Sequence, residues 1–316
     1  MLHRRRITRL LLAAVPLLGL GALAACGSSS ASTTPTSDVT AVTPTGDAGP
    51  AAVGMEPRAD APSGDASSTD SPSSVATSGC GLANVATGLQ SKMITVSGVS
   101  RHYQLLVPSA YDASHPTRVV FVFHGLGGDG DQIRAYFGFE AEAAGQALFV
   151  YPDGLVVPDQ GTTAWAESDL VFFDAMVAEI SASHCVDSKR IFVAGHSFGA
   201  YMSNLVGCER GDVVRAIAPV SGGLVAAGAC KGAVAAWIAH GDQDTTVAQS
   251  EGIGARDHWI AANGCAATSK PTAPSPCVAY DGCSPNHPVT WCSFKGGHFP
   301  LPAFTQQAIW DFFKVL

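Results

Sequence analysis

Beyond its first ten residues this chain has no basic run or patch, and its formal net charge is −8 over 316 residues. Nucleic acid is recognised by clustered Lys and Arg, so it is excluded as a partner. No C-x-x-C pair occurs, and the histidines do not stand at ligand spacing. A structural metal site is therefore not expected. No G-x-x-x-x-G-K-[ST] is present, which excludes that phosphate-binding loop, and no internal repeat is found. Long apolar runs are also missing. The longest near the N-terminus, Leu10 to Leu23, is interrupted by Pro16 and is too short to span a bilayer. Residues 27–79 have almost no large apolar side chain. Such a segment cannot bury enough surface to offset the entropy of ordering it.

The run from Leu10 to Leu23 follows Arg4, Arg5, Arg6 and Arg9 and ends in small residues, which is the pattern of a secretory signal peptide. Its end, Leu23-Ala24-Ala25-Cys26-Gly27, resembles the bacterial lipoprotein processing box. That resemblance implies removal of 1–25 and lipidation of Cys26 as the new N-terminus; an ordinary signal peptide is the alternative. Residues 26–79 then form a lipidated cysteine and a disordered tether, with a reach of roughly 40 Å. The expected location is extracytoplasmic, either held to a bacterial membrane through Cys26 or secreted. Residues 80–316 remain for one folded domain.

Nine cysteines occur. Apart from Cys26 they are Cys80, Cys185, Cys208, Cys230, Cys265, Cys277, Cys283 and Cys292. An even number in an exported domain predicts disulfides. Cys277-Val-Ala-Tyr280 and Val289-Thr-Trp-Cys292 have the pattern of two hairpin strands, which places Cys277 opposite Cys292.

Apolar, β-rich runs are expected to be strands at Val119–Phe123, Ala147–Tyr151, Ile191–Ala194, Ala216–Val220, Ala235–Ala239 and Val289–Phe294, with a hairpin around Gly98. Runs apolar on both faces suit buried parallel strands. Helical patterns lie at Leu170–Ser183, Ala200–Cys208, Ser250–Ala262 and Thr305–Val315. Alternating strands and helices predict an α/β sandwich with a mostly parallel sheet. Ligands bind such sheets outside the carboxyl ends of the strands.

Gly195-His196-Ser197-Phe198-Gly199 falls between a strand and a helix. This is the pattern of a nucleophile elbow, with Ser197 on a sharp turn. A serine hydroxyl needs a base to take its proton and a carboxylate to orient that base. In α/β-hydrolases these follow in the order Ser, Asp or Glu, His. Asp242 and Asp244 both follow the strand ending at Ala239, and His298 sits in Gly296-Gly297-His298 after the last strand. Among ten histidines, His258 and His287 read as packing or surface residues, and His196 and His240 as structural neighbours of the motifs. An oxyanion hole needs two backbone N–H donors. Phe198 N–H is one candidate. The other comes from His124-Gly125-Leu126-Gly127-Gly128-Asp129-Gly130, with Leu126 first and Gly127 next. Trp165 is a candidate lining of an acyl pocket or a core residue.

The ordered set of His124-Gly125 and its loop, Tyr151-Pro-Asp-Gly154, Cys185-Val-Asp-Ser-Lys-Arg-Ile191, Gly195 to Gly199, His240-Gly-Asp-Gln-Asp244 and Gly296-Gly-His298 resembles secreted feruloyl esterases and the related polyhydroxybutyrate depolymerases. The likeness runs from about Ser78 to the C-terminus. It implies the α/β-hydrolase fold, a three-layer sandwich. Its pattern His-Gly-x-x-Asp-x-x-Val implies Asp244 as the acid, and the resemblance implies the pairs Cys80–Cys185, Cys208–Cys230 and Cys265–Cys283. The chain departs from the pattern at Ala200, where relatives often carry a second glycine, and at Val247-Ala248, where Val-Pro is common. These departures leave the subfamily open. The resemblance implies a monomeric serine carboxylesterase without metal or cofactor, acting on feruloylated or acetylated plant polysaccharide. The alternatives are a polyhydroxyalkanoate depolymerase and a binding protein that keeps the scaffold without turnover.

Overall fold

The computed structural model describes residues 75–316, except 159 and 226–229. The expected signal segment, Cys26 and the tether through residue 74 lie outside the described residues. The tether expectation needs one correction at its end. Val75 N–H donates to Asp187 Oδ1, Ala76 forms a β-bridge with Asp187, and Thr77 and Gly79 donate to the carbonyls of Val186 and Ser181. Backbone bonds to the start of β7 and to Ser181 near the end of α3 therefore hold 75–79, although this segment has only one sizeable apolar side chain, Val75.

The strands are β1 (Gly88–Val96), β2 (Val99–Val107), β3 (Thr117–Phe123), β4 (Ala147–Pro152), β5 (Leu155–Val157), β6 (Thr162–Ala164), β7 (Val186–His196), β8 (Ala216–Val220), β9 (Ala235–Gly241), β10 (Ser269–Pro271), β11 (Cys277–Tyr280) and β12 (Val289–Phe294). The α-helices are α1 (Gly130–Phe137), α2 (Glu140–Ala143), α3 (Leu170–Ser183), α4 (Phe198–Glu209), α5 (Gln249–Ala262) and α6 (Thr305–Lys314). Ten strands form one sheet in the order β1-β2-β4-β3-β7-β8-β9-β12-β11-β10. From β4 to β12 every neighbouring pair is parallel; β1, β2, β10 and β11 extend the edges antiparallel.

Strand β3 shows why the central strands are apolar throughout. Val119, Phe121 and Phe123 join one core with Phe172, Phe173 and Met176 of α3, Met202 and Val206 of α4, and Trp259 of α5. Val120 and Val122 point the other way, into a core with Ile133 and Phe137 of α1 and Ile309, Trp310 and Phe313 of α6. Both faces of the sheet are covered by helices, so neither set of alternating side chains meets water. This is the three-layer α/β-hydrolase arrangement.

Four disulfides join Cys80 to Cys185, Cys208 to Cys230, Cys265 to Cys283 and Cys277 to Cys292. Cys277 and Cys292 are direct register partners across β11 and β12. Cys208, Cys230 and His258 approach one another closely, but the two sulfurs are bonded together, so neither is a thiolate ligand.

Two elements absent from the sequence expectation matter for the site. The loop after β3 ends at Asp129, whose carboxylate accepts Gln132 N–H and caps α1, as an aspartate at this position does. Gly130 therefore opens a helix instead of extending the glycine loop. The hairpin β5–β6 lies against that loop. At the elbow itself, a Cβ on Gly199 would overlap the carbonyl oxygen of Phe123 at the end of β3. Gly199→Ala is accordingly expected to lower stability by at least about 2 kcal/mol, the scale of overpacking in a close-packed core. Thermal or urea unfolding of the variant reads this directly; an unchanged midpoint would refute the close approach.

Candidate active site

Ser197, Asp244 and His298 each follow the carboxyl end of a parallel strand: β7, β9 and β12. Ser197 has φ 58° and ψ −122°, a backbone conformation that costs a non-glycine residue on the order of 1–3 kcal/mol. Its N–H is held by the Val220 carbonyl at 3.0 Å, and α4 starts at the next residue. Strand, strained turn and helix together hold the serine up at the carboxyl end of a central strand, half-buried.

Asp244 and His298 are both buried, and His298 Nδ1 lies 2.7 Å from Asp244 Oδ2. The other carboxylate oxygen, Oδ1, accepts the backbone N–H groups of Thr246 and Val247, both at 2.9 Å. Burial alone would raise the Asp244 pKa; the hydrogen bonds from His298, Val247 and Thr246 outweigh it and hold the carboxyl below its ordinary value. An ionised Asp244 accepts the Nδ1 proton of His298, leaving Nε2 free to act as a base. Asp242, the other sequence candidate, is exposed and accepts Gly296 N–H at 3.1 Å. It holds the loop that carries His298 and does not face the imidazole.

The structure makes no direct hydrogen bond between Ser197 and His298. Their connection runs through His196, whose Nε2–H donates to the His298 carbonyl at 3.0 Å. Contacts between nucleophile and base are often long without substrate and tighten when it binds.

The glycine loop separates the two oxyanion candidates. Gly127 N–H already donates to Thr163 O at 2.8 Å, and Gly128 N–H to Gly125 O at 3.1 Å. Leu126 N–H has no acceptor among the described residues. Gly127 has φ 76°, the left-handed region where glycine is at ease. A Cβ on Gly125 would come within 3.4 Å of Ser197 Cβ, so this loop passes directly beside the serine. Phe198 opens α4, and a first-turn N–H has no partner within its helix.

His124 orients the loop. Its Nδ1–H donates to Gly125 O at 2.7 Å, and its Nε2 accepts Gly154 N–H at 2.8 Å. Burial lowers its pKa, against the pull of the Gly125 carbonyl and nearby carboxylates, so the ring stays neutral in that one tautomer. Gly125 O and Leu126 N–H belong to the same planar peptide. Fixing the carbonyl therefore fixes the direction of the N–H. The sequence marked His124 only as part of a loop, and it missed Thr163 altogether.

Trp165 takes the second of its two expected places, in the core. It is 4% exposed, donates Nε1–H to His124 O at 2.8 Å, and packs edge-on to Phe123. It supports the base of the glycine loop from the core. Behind it, the buried pair Arg101–Asp169 at 2.6 Å, with Arg101 also donating to Asp153 O at 3.0 Å, anchors the segment after β4.

A strained serine at an elbow, a buried Asp–His pair and an N–H without an acceptor among the described residues are the arrangement found in α/β-hydrolases. Solved structures agree on the fold. The acetyl xylan esterase from Aspergillus awamori superposes with a TM-score of 0.58 at 15% identity, over 72% of this chain and all of that one. A feruloyl esterase module from Clostridium thermocellum gives 0.54 at 10% identity, over 72% of this chain and 87% of its own. No protein-family profile matches the chain. Among curated proteins, feruloyl esterase C of Emericella nidulans is 32% identical over 235 residues, covering 67% of this chain and 83% of the relative. Feruloyl esterase D of Neurospora crassa is 29% identical over 267 residues, covering 75% and 89%. The chain belongs to the feruloyl esterase family, whose members are carboxylic ester hydrolases.

Proposed function

We propose that this protein is an exported serine esterase that removes feruloyl or acetyl groups from plant polysaccharide esters through an acyl-enzyme. The observation that carries the reading is the buried pair of His298 Nδ1 and Asp244 Oδ2 at 2.7 Å, set beside the strained Ser197. Similarity to the feruloyl esterases supports the substrate class. The four disulfides support export, and the sequence around Cys26 supports a lipid anchor at the end of the tether.

In this mechanism His298 Nε2 takes the Ser197 hydroxyl proton as Oγ bonds to the ester carbonyl carbon. The carbonyl π pair moves onto oxygen, where the Phe198 and Leu126 N–H groups hold the charge. Collapse breaks the bond to the alcohol, which leaves with the proton from His298. Water, deprotonated by the same imidazole, then attacks the acyl carbon and releases the acid and Ser197. Asp244 holds His298 in the productive tautomer and stabilises its charged form. Leu126 and Phe299, next to the site, are exposed and offer a planar acyl group an apolar surface.

A panel of methyl ferulate, acetylated xylan and hydroxybutyrate oligomers tests the substrate class. Turnover of the first or second, with the third inert, is the expected result; turnover of the third alone would overturn it. Failure to hydrolyse any p-nitrophenyl ester, together with no labelling of Ser197 by an organophosphonate, would instead leave a binding protein on a hydrolase scaffold.

A further inference from the structure

Strands β7 and β12 are separated in the sheet by β8 and β9. At about 4.8 Å per strand, the residues that carry Ser197 and His298 start roughly 14 Å apart. The loop after β12 must close that gap, and the two residues before His298 are Gly296 and Gly297, which have no side chains to hold it. Its backbone instead packs closely on Gly241 at the end of β9, and its base is bonded to Asp244, also beyond β9. Neither contact reaches the strand that carries the nucleophile.

One contact does. His196 is the last residue of β7, adjacent to Ser197 in the chain and 2% exposed. Its Nε2 lies 3.0 Å from His298 O. A carbonyl oxygen only accepts, so Nε2 carries the proton. The ring also packs against three others: His298 with centroids 4.7 Å apart, Phe299 at 4.8 Å and Tyr136 at 5.2 Å. Tyr136 OH in turn accepts Leu301 N–H at 3.1 Å, so α1 also contacts the same loop. Burial, then repulsion from His298, push the His196 pKa down to about 3. The ring is therefore neutral at any pH where the base works, and its hydrogen bond persists.

We propose that His196 is a positioning residue that sets the distance between nucleophile and base, through its hydrogen bond to the His298 carbonyl. The inference rests on the reading of Ser197 and His298 as the reacting pair. His298 is then held at two points. Asp244 fixes the rotation of its imidazole, and His196 fixes where its backbone stands relative to Ser197.

The test compares His196→Gln, which keeps a side-chain N–H donor, with His196→Phe, which keeps the aromatic packing and loses the donor. For p-nitrophenyl acetate, His196→Phe should lower kcat about 10- to 100-fold with KM little changed, the scale of a misplacement near 1 Å. His196→Gln should recover to within about threefold of the parent, while both variants keep its melting temperature. A purely structural role would lower the melting temperature and would not separate Gln from Phe. If His196→Phe does not fold, His196→Met, also without a donor, takes its place. Parental kcat in the donor-free variant, or a Gln variant as slow as it, overturns the proposal. Ser197→Ala run alongside separates the two failures. If it stays active, the reading of the site is wrong; if it is inactive while His196→Phe is not, only the positioning role is wrong.

Discussion

Ser197→Ala should lower kcat for ester hydrolysis by about 10⁵-fold, since serine-hydrolase triads lose on the order of 10⁴ to 10⁶ when a member is removed. The attacking oxygen is gone, so no acyl-enzyme forms. Binding and the Leu126 and Phe198 N–H donors would leave only a residual rate above that of water. Stability should hardly change. Alanine retains the Cβ that makes φ 58° costly, so the variant has the same backbone strain as the parent. Residual activity with p-nitrophenyl acetate, organophosphonate labelling and a melting curve together give the answer. A folded Ser197→Ala protein with parental turnover would remove the serine from the mechanism.

Asp244→Asn should cost about 10⁴-fold in kcat, by the loss of the correct histidine tautomer. The geometry dictates which way the new amide points. Thr246 and Val247 both donate N–H to Oδ1 at 2.9 Å, so the amide oxygen must stay with them. The amide NH₂ then faces His298 Nδ1 where a carboxylate oxygen stood. Two donors cannot face each other, so His298 places its proton on Nε2 and can no longer accept one from Ser197. Asp242→Asn offers the contrast. Its side chain is exposed, and an amide oxygen can still accept Gly296 N–H. A change of no more than about tenfold is expected there, the scale of a loop contact worth about 1 kcal/mol. The reverse ranking of the two variants would transfer the acid role to Asp242.

How far the sequence reached can be followed residue by residue. Strands β3, β4, β8, β9 and β12 and the second half of β7 were legible because strands buried on both faces are predominantly apolar; the first half of β7, Asp187 to Arg190, is polar and was not. Helix α1 was not, because it begins in glycine and its start signal, Asp129, lies inside a glycine-rich loop. The hairpin β5–β6 was missed for a different reason: its strands are only three residues long, below the length at which alternation can be seen. That omission mattered, since Thr163 of β6 takes the Gly127 N–H and so bears on the oxyanion assignment. Trp165 was ambiguous because an aromatic side chain serves a core and a pocket equally well.

The sequence alone determined which residue types were present and in what order: a serine between two glycines, then two carboxylates, then a histidine after paired glycines. It also determined the sandwich, through strands apolar on both faces. The family pattern already favoured Asp244 and the loop already placed Leu126 before Gly127, but only the tertiary structure shows Asp244 facing the imidazole, Leu126 N–H without an acceptor among the described residues, and His196 reaching the carbonyl of His298. The reason is physical. Local pattern reports what a residue is and how its neighbours repeat. It carries no information on where a side chain points across a sheet, or on which backbone groups a distant strand has already paired.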